Sequence, residues 1–321
     1  IYKIIAKTPN KHYQQTKVFG VTKIIQLYWL WLAMNFTMLP HDSVSTILSF
    51  TSPLDACGLS PVSTSFQSAA DSDDVWERFL PSDYRDIVSR SVTPLKFSSK
   101  KDLYFLLCNR ILIDGGNKSF TLEKLSGKKS YMLSARELSI TWSNEPIPMY
   151  WIWESIPDSR FSEVAVLRTV WWLEIHGRIE TQMLSPNAAY GAYLIVKISE
   201  NAHGLDSIPS EISVKVGNNV VSSNTTYLRC PKDDKKKRQM QSLFYANRTQ
   251  MLRSRLVNNG EDTRVLPSER EDGWMEIELG EFFINGGDDA NEEVEMSLME
   301  VKGYQLKGGL IIQGIEVRPK H

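Results

Sequence analysis

Cysteine is scarce in this chain, net charge is almost nil, and no apolar run is long enough to span a bilayer comfortably. Its 321 residues hold three cysteines, Cys57, Cys108 and Cys230. They are odd in number and far apart, which fits neither a zinc spacing nor a disulfide framework and points to a reducing compartment, cytoplasm and nucleus. Four N-x-S/T sequons, at Asn35, Asn117, Asn224 and Asn247, argue the other way. That motif arises often in Ser- and Thr-rich chains and weighs less than the cysteines. Lys plus Arg number 37 against 38 acids, so the net charge of -1 gives no reason to expect nucleic acid or an anionic membrane as the main partner. The apolar run from Ile24 to Phe36 is 13 residues long, short for a bilayer, and no small-x-small cleavage site follows it. The histidines, His12, His41, His176, His203 and His321, have no metal spacing and no nucleophile motif nearby. With no phosphate loop either, no cofactor is expected. Glu174, Glu276, Glu278, Glu293 and Glu295 invite a glycosidase reading, but acids on wet strand faces are ordinary and no catalysis is expected.

What the chain has instead is tryptophan gathered in one place. Five of its nine tryptophans, Trp142, Trp151, Trp153, Trp171 and Trp172, lie between Glu137 and Pro186. From Trp171 to Arg178 the side chains alternate: Trp171, Leu173 and Ile175 point one way, Trp172, Glu174, His176 and Arg178 the other. That predicts a strand with one wet face. Trp142 and Trp151 stand apart, the first closing Leu138-Ser-Ile-Thr-Trp142 and the second following the proline-broken loop Pro146-Ile-Pro148. A flat indole with polar neighbours suits the CH face of a sugar, whose hydroxyls the neighbours can hydrogen-bond. Tryptophan is also highly buried on average, so the residues alone leave both readings open.

Residues 1–33 show no caps, period or turn logic and read as a fragment edge or mis-set start, with Met34 or Met38 the natural beginning, so that 1–37 is expected to be an extension. From Met38 helical signals crowd together. Asp42 is a candidate N-cap ahead of Val44, Ile47 and Leu48 on one face. Ser52-Pro53 and Ser60-Pro61 each pair a cap with a proline at the first helical position. Val62, Phe66, Ala69 and Ala70 form one apolar stripe, and Val75, Trp76, Phe79 and Leu80 another. Four short helices bury too little surface to be safely stable alone, so Leu39, Pro40, Ile47, Leu48, Val62 and Phe66 are candidates for a partner's groove or for an internal core, and periodicity alone favours the core for most of them.

Residues 85–135 read as an ordered connector. Ser98-Ser99 caps a helix through Leu103, Leu106 and Leu107 that Gly115-Gly116 would end, and a hairpin turns at Ser126-Gly127. Beyond Pro186, period-two segments follow one another. Tyr190, Ala192, Leu194, Val196 and Ile198 share a face against Tyr193 and Lys197. Ile212, Val214 and Val216 alternate with Ser213 and Lys215. Met275, Ile277 and Leu279 alternate with Trp274, Glu276 and Glu278, and Val294, Met296 and Leu298 with Glu293, Glu295 and Ser297. The fold class is α+β multidomain, a small all-α unit followed by an antiparallel β-sandwich of jelly-roll type. The basic run 232–238 reads as a solvated loop.

The wording of these segments carries a resemblance. Leu138-Ser-Ile-Thr-Trp142, Tyr150-Trp151, Arg160-Phe-x-Glu-Val-Ala165, Trp172-x-Glu-Ile-x-Gly177, Met183-Leu-Ser-Pro186, Gly273-Trp-Met-Glu-Ile-Glu-Leu-Gly280, Glu300-Val-Lys-Gly303 and Gly309 to Pro319 together resemble the plant phloem protein 2 family, whose domain has the Nictaba-like lectin fold. Leu39-Pro40, Ile47-Leu48-Ser49, Val62-Ser63-x-x-Phe66 and Trp76 look like an F-box, and Val75 to Tyr84 reads like the F-box members (PP2-B type) of the same family. The resemblance implies an F-box over 38–84, the connector over 85–135 and a lectin-like domain over 136–321. It implies docking of a Skp-type adaptor of a cullin-RING ubiquitin ligase on Leu39, Pro40, Ile47, Leu48, Val62 and Phe66. It also implies a sugar site in which Trp142 and Trp151 stack and Glu295, or Glu293, and Lys307 hydrogen-bond. The family commonly carries an aromatic before that lysine; here it is Leu306. The function implied is a non-catalytic substrate receptor selecting N-acetylglucosamine-bearing or high-mannose glycoproteins. The alternatives are a stand-alone lectin with a vestigial F-box and a protein-recognition module without sugar binding.

Overall fold

The computed structural model describes residues 39–144, 149–229, 264–286, 291–303 and 305–320. The extension 1–37 with Met38, the sequons at Asn35 and Asn247, Cys230, the basic run 232–238, His12 and His321 lie outside them. The chain divides into two compact units, one running to Leu80 and including Ser98–Tyr104, the other formed by Pro81–Phe97 and the residues from Phe105 on.

Six helices are described: α1 His41–Ser49, α2 Pro53–Leu59, α3 Thr64–Ala70, α4 Asp73–Phe79, α5 Tyr84–Ser89 and α6 Lys100–Leu107. The first unit closes around Trp76, which is wholly buried. Its Nε1 donates to Ala70 O at 2.6 Å, and its ring meets Phe79 and Tyr104 with centroids 5.5 and 5.1 Å away. Val44, Leu48, Phe66, Ala69, Ala70 and Leu103 fill the space around it. The cap of α2 is as expected, Ser52 Oγ accepting from Asp55 N at 3.1 Å with Pro53 behind it. Two other starts differ. Pro40, not Asp42, is the N-cap of α1, its carbonyl accepting from Ser43 and Val44, and Asp42 sits in the first turn facing the positive end of the helix dipole. Ser60-Pro61 opens only a 3-10 turn, Ser60–Val62, and Ser63 caps α3 by accepting from Phe66 N at 3.2 Å. Val62 is thereby left outside the stripe that buries Phe66.

Among its described residues the second unit holds fifteen strands. They are β1 Ile111–Ile113, β2 Lys118–Leu122, β3 Lys129–Ser134, β4 Ser139–Ile140, β5 Trp151–Glu154, β6 Val164–Leu167, β7 Leu173–Glu180 and β8 Ala188–His203. Then come β9 Ser210–Val216, β10 Asn219–Thr226, β11 Arg264–Val265, β12 Ser268–Glu269, β13 Met275–Ile284, β14 Glu293–Glu300 and β15 Gly308–Pro319. A nine-stranded sheet runs β1-β2-β3-β15-β8-β13-β12 with β6 and β5 added along β15, and a six-stranded sheet runs β11-β10-β9-β14-β7-β4. All pairings are antiparallel except the short β10–β11 pair. Leu133, Ile315, Leu194 and Ile277 stand side by side across β3, β15, β8 and β13. They face the other sheet at Gly177 of β7, where an added Cβ would lie 2.8 Å from Ile315 Cδ1 and the Ile315 side chain would have to shift to make room.

The connector is not a separate segment. β3 pairs with β15, so residues from Ile111 onward are an edge of the sandwich itself. α6 ends at Leu107, and Gly115-Gly116 instead turn the chain between β1 and β2 with φ of 66° and 92°. The hairpin at Ser126-Gly127 joins β2 and β3 as expected.

The second face of β8 is not wet. Tyr193 and Ile195 are buried there with Met132, Phe161, Val164 and Trp274, because residues 155–163 fold over the sheet and Trp274 Nε1 donates to Asp158 O at 3.1 Å. Beside this layer, Glu316 accepts from Arg160, Arg270 and Arg318 at 2.8, 2.7 and 3.1 Å, and Glu276 from Arg270 and Arg318 at 2.8 and 2.9 Å. Burial alone would raise the Glu316 carboxyl, but Arg160 and Arg270 overcome it and hold the pKa at about 2, below the ordinary 4.5. A depressed carboxyl contributes stability that is complete above the unfolded pKa and is lost as pH falls toward the folded one.

Two outcomes follow from this packing. Ile195→Ala should cost about 2 to 5 kcal/mol, because the cavity it leaves is walled on both sides, and urea unfolding of the full chain measures it. The stabilisation from Glu316, on the order of 3 kcal/mol by linkage, should disappear between pH 4.5 and 2. Urea midpoints across that range should therefore converge for the native chain and Glu316→Gln, while at neutral pH the variant is the less stable.

Candidate functional site

In the helical unit, the six residues expected to dock a partner divide in two. Leu48 and Phe66 are buried in the unit's own core. Pro40 is exposed, Leu39 partly so, and Ile47 and Val62 present 44% and 48% of their surface. The sequence reading missed Phe50 and Leu54, both exposed. Their spacing from Ile47, three and then four residues, was the available signal, although α1 ends before Phe50.

In the sandwich, the tryptophans sort by height above the sheets. A four-residue turn, closed by Ser143 N–H donating to Ile140 O at 3.1 Å, puts Trp142 at φ 64°, a left-handed conformation a bulky side chain rarely takes. The turn is held from below by two indoles on one side of β5. Trp151 Nε1 donates to Thr141 O at 3.1 Å and Trp153 Nε1 to Ser143 O at 3.3 Å. Trp151 is 3% exposed, so the expectation that it offers a stacking face is corrected: its ring is spent on packing and its N–H on anchoring the turn. Trp171 and Trp172 precede β7 instead of belonging to it, and the alternation breaks there. Both are open, at 54% and 40%, so Trp171 does not join the buried face of Leu173 and Ile175. Trp142 meets Trp171 edge to face at 6.2 Å between centroids and Tyr150 at 5.1 Å.

Polar groups border these rings. Glu174 accepts from Trp172 Nε1 at 2.9 Å and from Thr141 Oγ1 at 3.1 Å, and lies 3.0 Å from His176 Nε2. Those hydrogen bonds, that of Trp172 first, hold its carboxyl below the usual range. On the far side of the imidazole, Nδ1 lies 3.0 Å from Glu295 Oε1, an ion-pair contact without hydrogen-bond alignment. Glu295 faces Arg178 of β7 and Lys215 of β9, with neighbours on both sides, whereas Glu293 is more exposed and pairs with Arg178 alone at 3.5 Å. Glu174, bonded to Thr141 beside Trp142, and His176, in contact with Glu295, thus join two of the expected sugar residues through neighbours to which the resemblance gave no role. The wet-face alternation of β7 already contained them.

Lys307 is elsewhere. It is 2% exposed and pairs with Glu300, and its ammonium also donates to Trp171 O at 2.7 Å and Gln305 O at 3.2 Å. Burial lowers its pKa from the ordinary lysine value. An ammonium has three N–H donors, and here all three are engaged. The expectation that Lys307 bonds ring hydroxyls is corrected on that ground. Leu306, at the position where an aromatic is common, is exposed. Among the described residues no cluster of His, Cys, Asp and Glu is arranged to hold a metal ion, and no helix is long and apolar enough to cross a membrane.

Comparison with known proteins matches residues 36–78 to the F-box domain and residues 128–319 to Phloem protein 2. Three Arabidopsis thaliana proteins are similar over most of their length. F-box protein PP2-B15 is 55% identical over 88% of this chain and 96% of its own, F-box protein PP2-B13 is 52% identical over 88% and 98%, and F-box protein VBF is 52% identical over 88% and 99%. An F-box ahead of a phloem protein 2 sandwich, matched at these identities along nearly the whole of each relative, shows that the chain belongs to the F-box branch of the phloem protein 2 family.

Proposed function

We propose that this protein is the substrate-receptor subunit of a cullin-RING ubiquitin ligase and that its sandwich selects glycoproteins. The observation that carries the reading is an F-box unit with solvent-facing apolar residues in the same chain as an exposed indole cluster bordered by carboxylates. Pro40, Ile47 and Val62, with Phe50 and Leu54, supply the apolar contact for a Skp-type adaptor, while Leu48 and Phe66 keep the helices in place. Trp142, Trp171 and Trp172 stack on the CH face of N-acetylglucosamine or mannose units, and Glu174 and Glu295 accept hydrogen bonds from ring hydroxyls. The protein catalyses nothing itself; it raises the local concentration of target lysines near a conjugating enzyme carried by the rest of the ligase. The scarcity of cysteine, with Cys57 half-buried outside any disulfide, suits a reducing compartment, cytoplasm and nucleus.

Two measurements test the halves separately. In co-purification of the full chain with a Skp-type adaptor, Pro40→Ala/Ile47→Ser should lower the affinity about tenfold or more, as expected for residues at an interface centre. Undiminished binding moves the adaptor contact off these residues, and a native chain that does not co-purify with the adaptor leaves a stand-alone lectin. On a glycan array, Trp172→Ala should weaken binding by about 1 to 2 kcal/mol with the fold intact. A native chain that binds no glycan turns the sandwich into a protein-recognition module.

A further inference from the structure

The segment that presents Trp171 and Trp172 is short, exposed and outside any strand, so something must fix its attitude. Val170 and Lys307 exchange both backbone hydrogen bonds, Val170 N to Lys307 O at 2.9 Å and Lys307 N to Val170 O at 2.7 Å. One residue on, the Lys307 ammonium reaches under the segment to the Trp171 carbonyl at 2.7 Å. The charge does not sit there alone: Glu300, 4% exposed at the end of β14, pairs with it, and Glu300 is itself held by Gly303 N–H at 2.9 Å. Glu300 stands opposite Leu173, the first residue of β7, so the acid belongs to the rigid sheet and the lysine transmits that position to the segment.

We propose that Glu300 and Lys307 form a buried ionic brace that sets the orientation of Trp171, and through it the Trp142–Trp171 pair, making both positioning residues and neither a sugar ligand. The functional consequence rests on the glycan reading above; the structural consequence does not. A buried ion pair of this kind is a costly way to gain stability, because two charges are desolvated for one attraction, and its better-attested use is to specify one arrangement among several. Hydrophobic residues would fill the same space, but they could not donate to the Trp171 and Gln305 carbonyls.

The test uses the full chain with two readouts. Two indoles 6.2 Å apart give an exciton band in circular dichroism whose shape follows their mutual angle, and this is recorded without ligand. Affinity for chitotriose is measured by calorimetry. Glu300→Gln cannot touch a sugar, yet it should alter the exciton band and weaken chitotriose binding about tenfold, the scale of losing one well-placed aromatic. Lys307→Met should do the same, and its effect on affinity should vanish in a Trp171→Ala background, as coupling through that residue requires. Should Lys307→Met fail to fold, Glu300→Gln carries the test alone. An unchanged exciton band in Glu300→Gln overturns the brace, and so does a loss of affinity in Lys307→Met that persists without Trp171, since that marks a direct ligand. If the native chain binds no chitotriose and no other glycan, the sugar reading falls while the exciton band still decides the brace.

Discussion

The antiparallel pairing of β8 with β15 is the constraint on which the sandwich depends. These two longest strands run together from His203↔Gly308 to Tyr190↔Pro319, with β13 on one flank and β3 and β6 on the other. Because strand side chains alternate, a slip of one residue would drive Glu316 between the sheets and turn Ile315 out among the arginines. Both errors carry a heavy penalty, one burying an unpaired charge and the other emptying the core, so the register has no near competitor. The pairing also demands a glycine: at Gly314, where β15 bulges, an added Cβ would lie 1.9 Å from Leu133 O, and any other residue would push β3 off the sheet. Everything attached to β3, including the β1–β2 edge, follows from that contact.

What the sequence made legible was local, and what it hid was decided by distant partners. Period-two alternation placed β7, β13 and β14 because one face of each is wet over part of its length. It could not show that both faces of β8 are covered, since the cover over Tyr193 comes from residues 155–163, a loop without periodicity whose Trp274 partner lies more than a hundred positions away. The hairpin at Ser126-Gly127 was readable from its turn, but turn chemistry says nothing about the third strand, so β1 to β3 looked like a connector when they are sheet. Among the helices, Ser52 announced its own cap. Ser63 was masked by the stronger-looking Ser60-Pro61, and α5, six residues from Tyr84 to Ser89, is too short to show a period.

The candidate site divides along the same line. Residue types were legible: indoles, acids and one lysine in the right neighbourhood. Exposure was not, because it depends on whether a side chain's polar atoms are already used. Trp151 and Lys307 have the chemistry of sugar ligands and spend it on Thr141 O and on Glu300, Trp171 and Gln305. The alternation extends the strand back over Trp171 and Trp172, and they are open because β7 begins only at Leu173. The F-box residues behave alike: Leu48 and Ile47 are neighbours in sequence, but a helical step of 100° sends one into the core and the other to solvent.

The backbone of Trp142 is the detail that ties the site to the rest of the fold. A left-handed φ at a bulky residue is unfavourable by about 1 to 3 kcal/mol, and glycine or asparagine would relieve it at once. Nothing in the turn itself requires tryptophan, since the Ile140–Ser143 hydrogen bond would form as well around a glycine. The strain is offset from below, by the two indole N–H groups of β5 that grip the turn at Thr141 and Ser143, so one buried and one half-buried tryptophan hold a third in a conformation it would not choose. That arrangement leaves the Trp142 ring half-buried and outside the core. What it does produce is a ring set edge to face against Trp171 and close against Tyr150. The demand that keeps tryptophan at position 142 therefore comes from the ring's surroundings, and the backbone strain is a physical ground for the proposed recognition site at this corner of the sandwich.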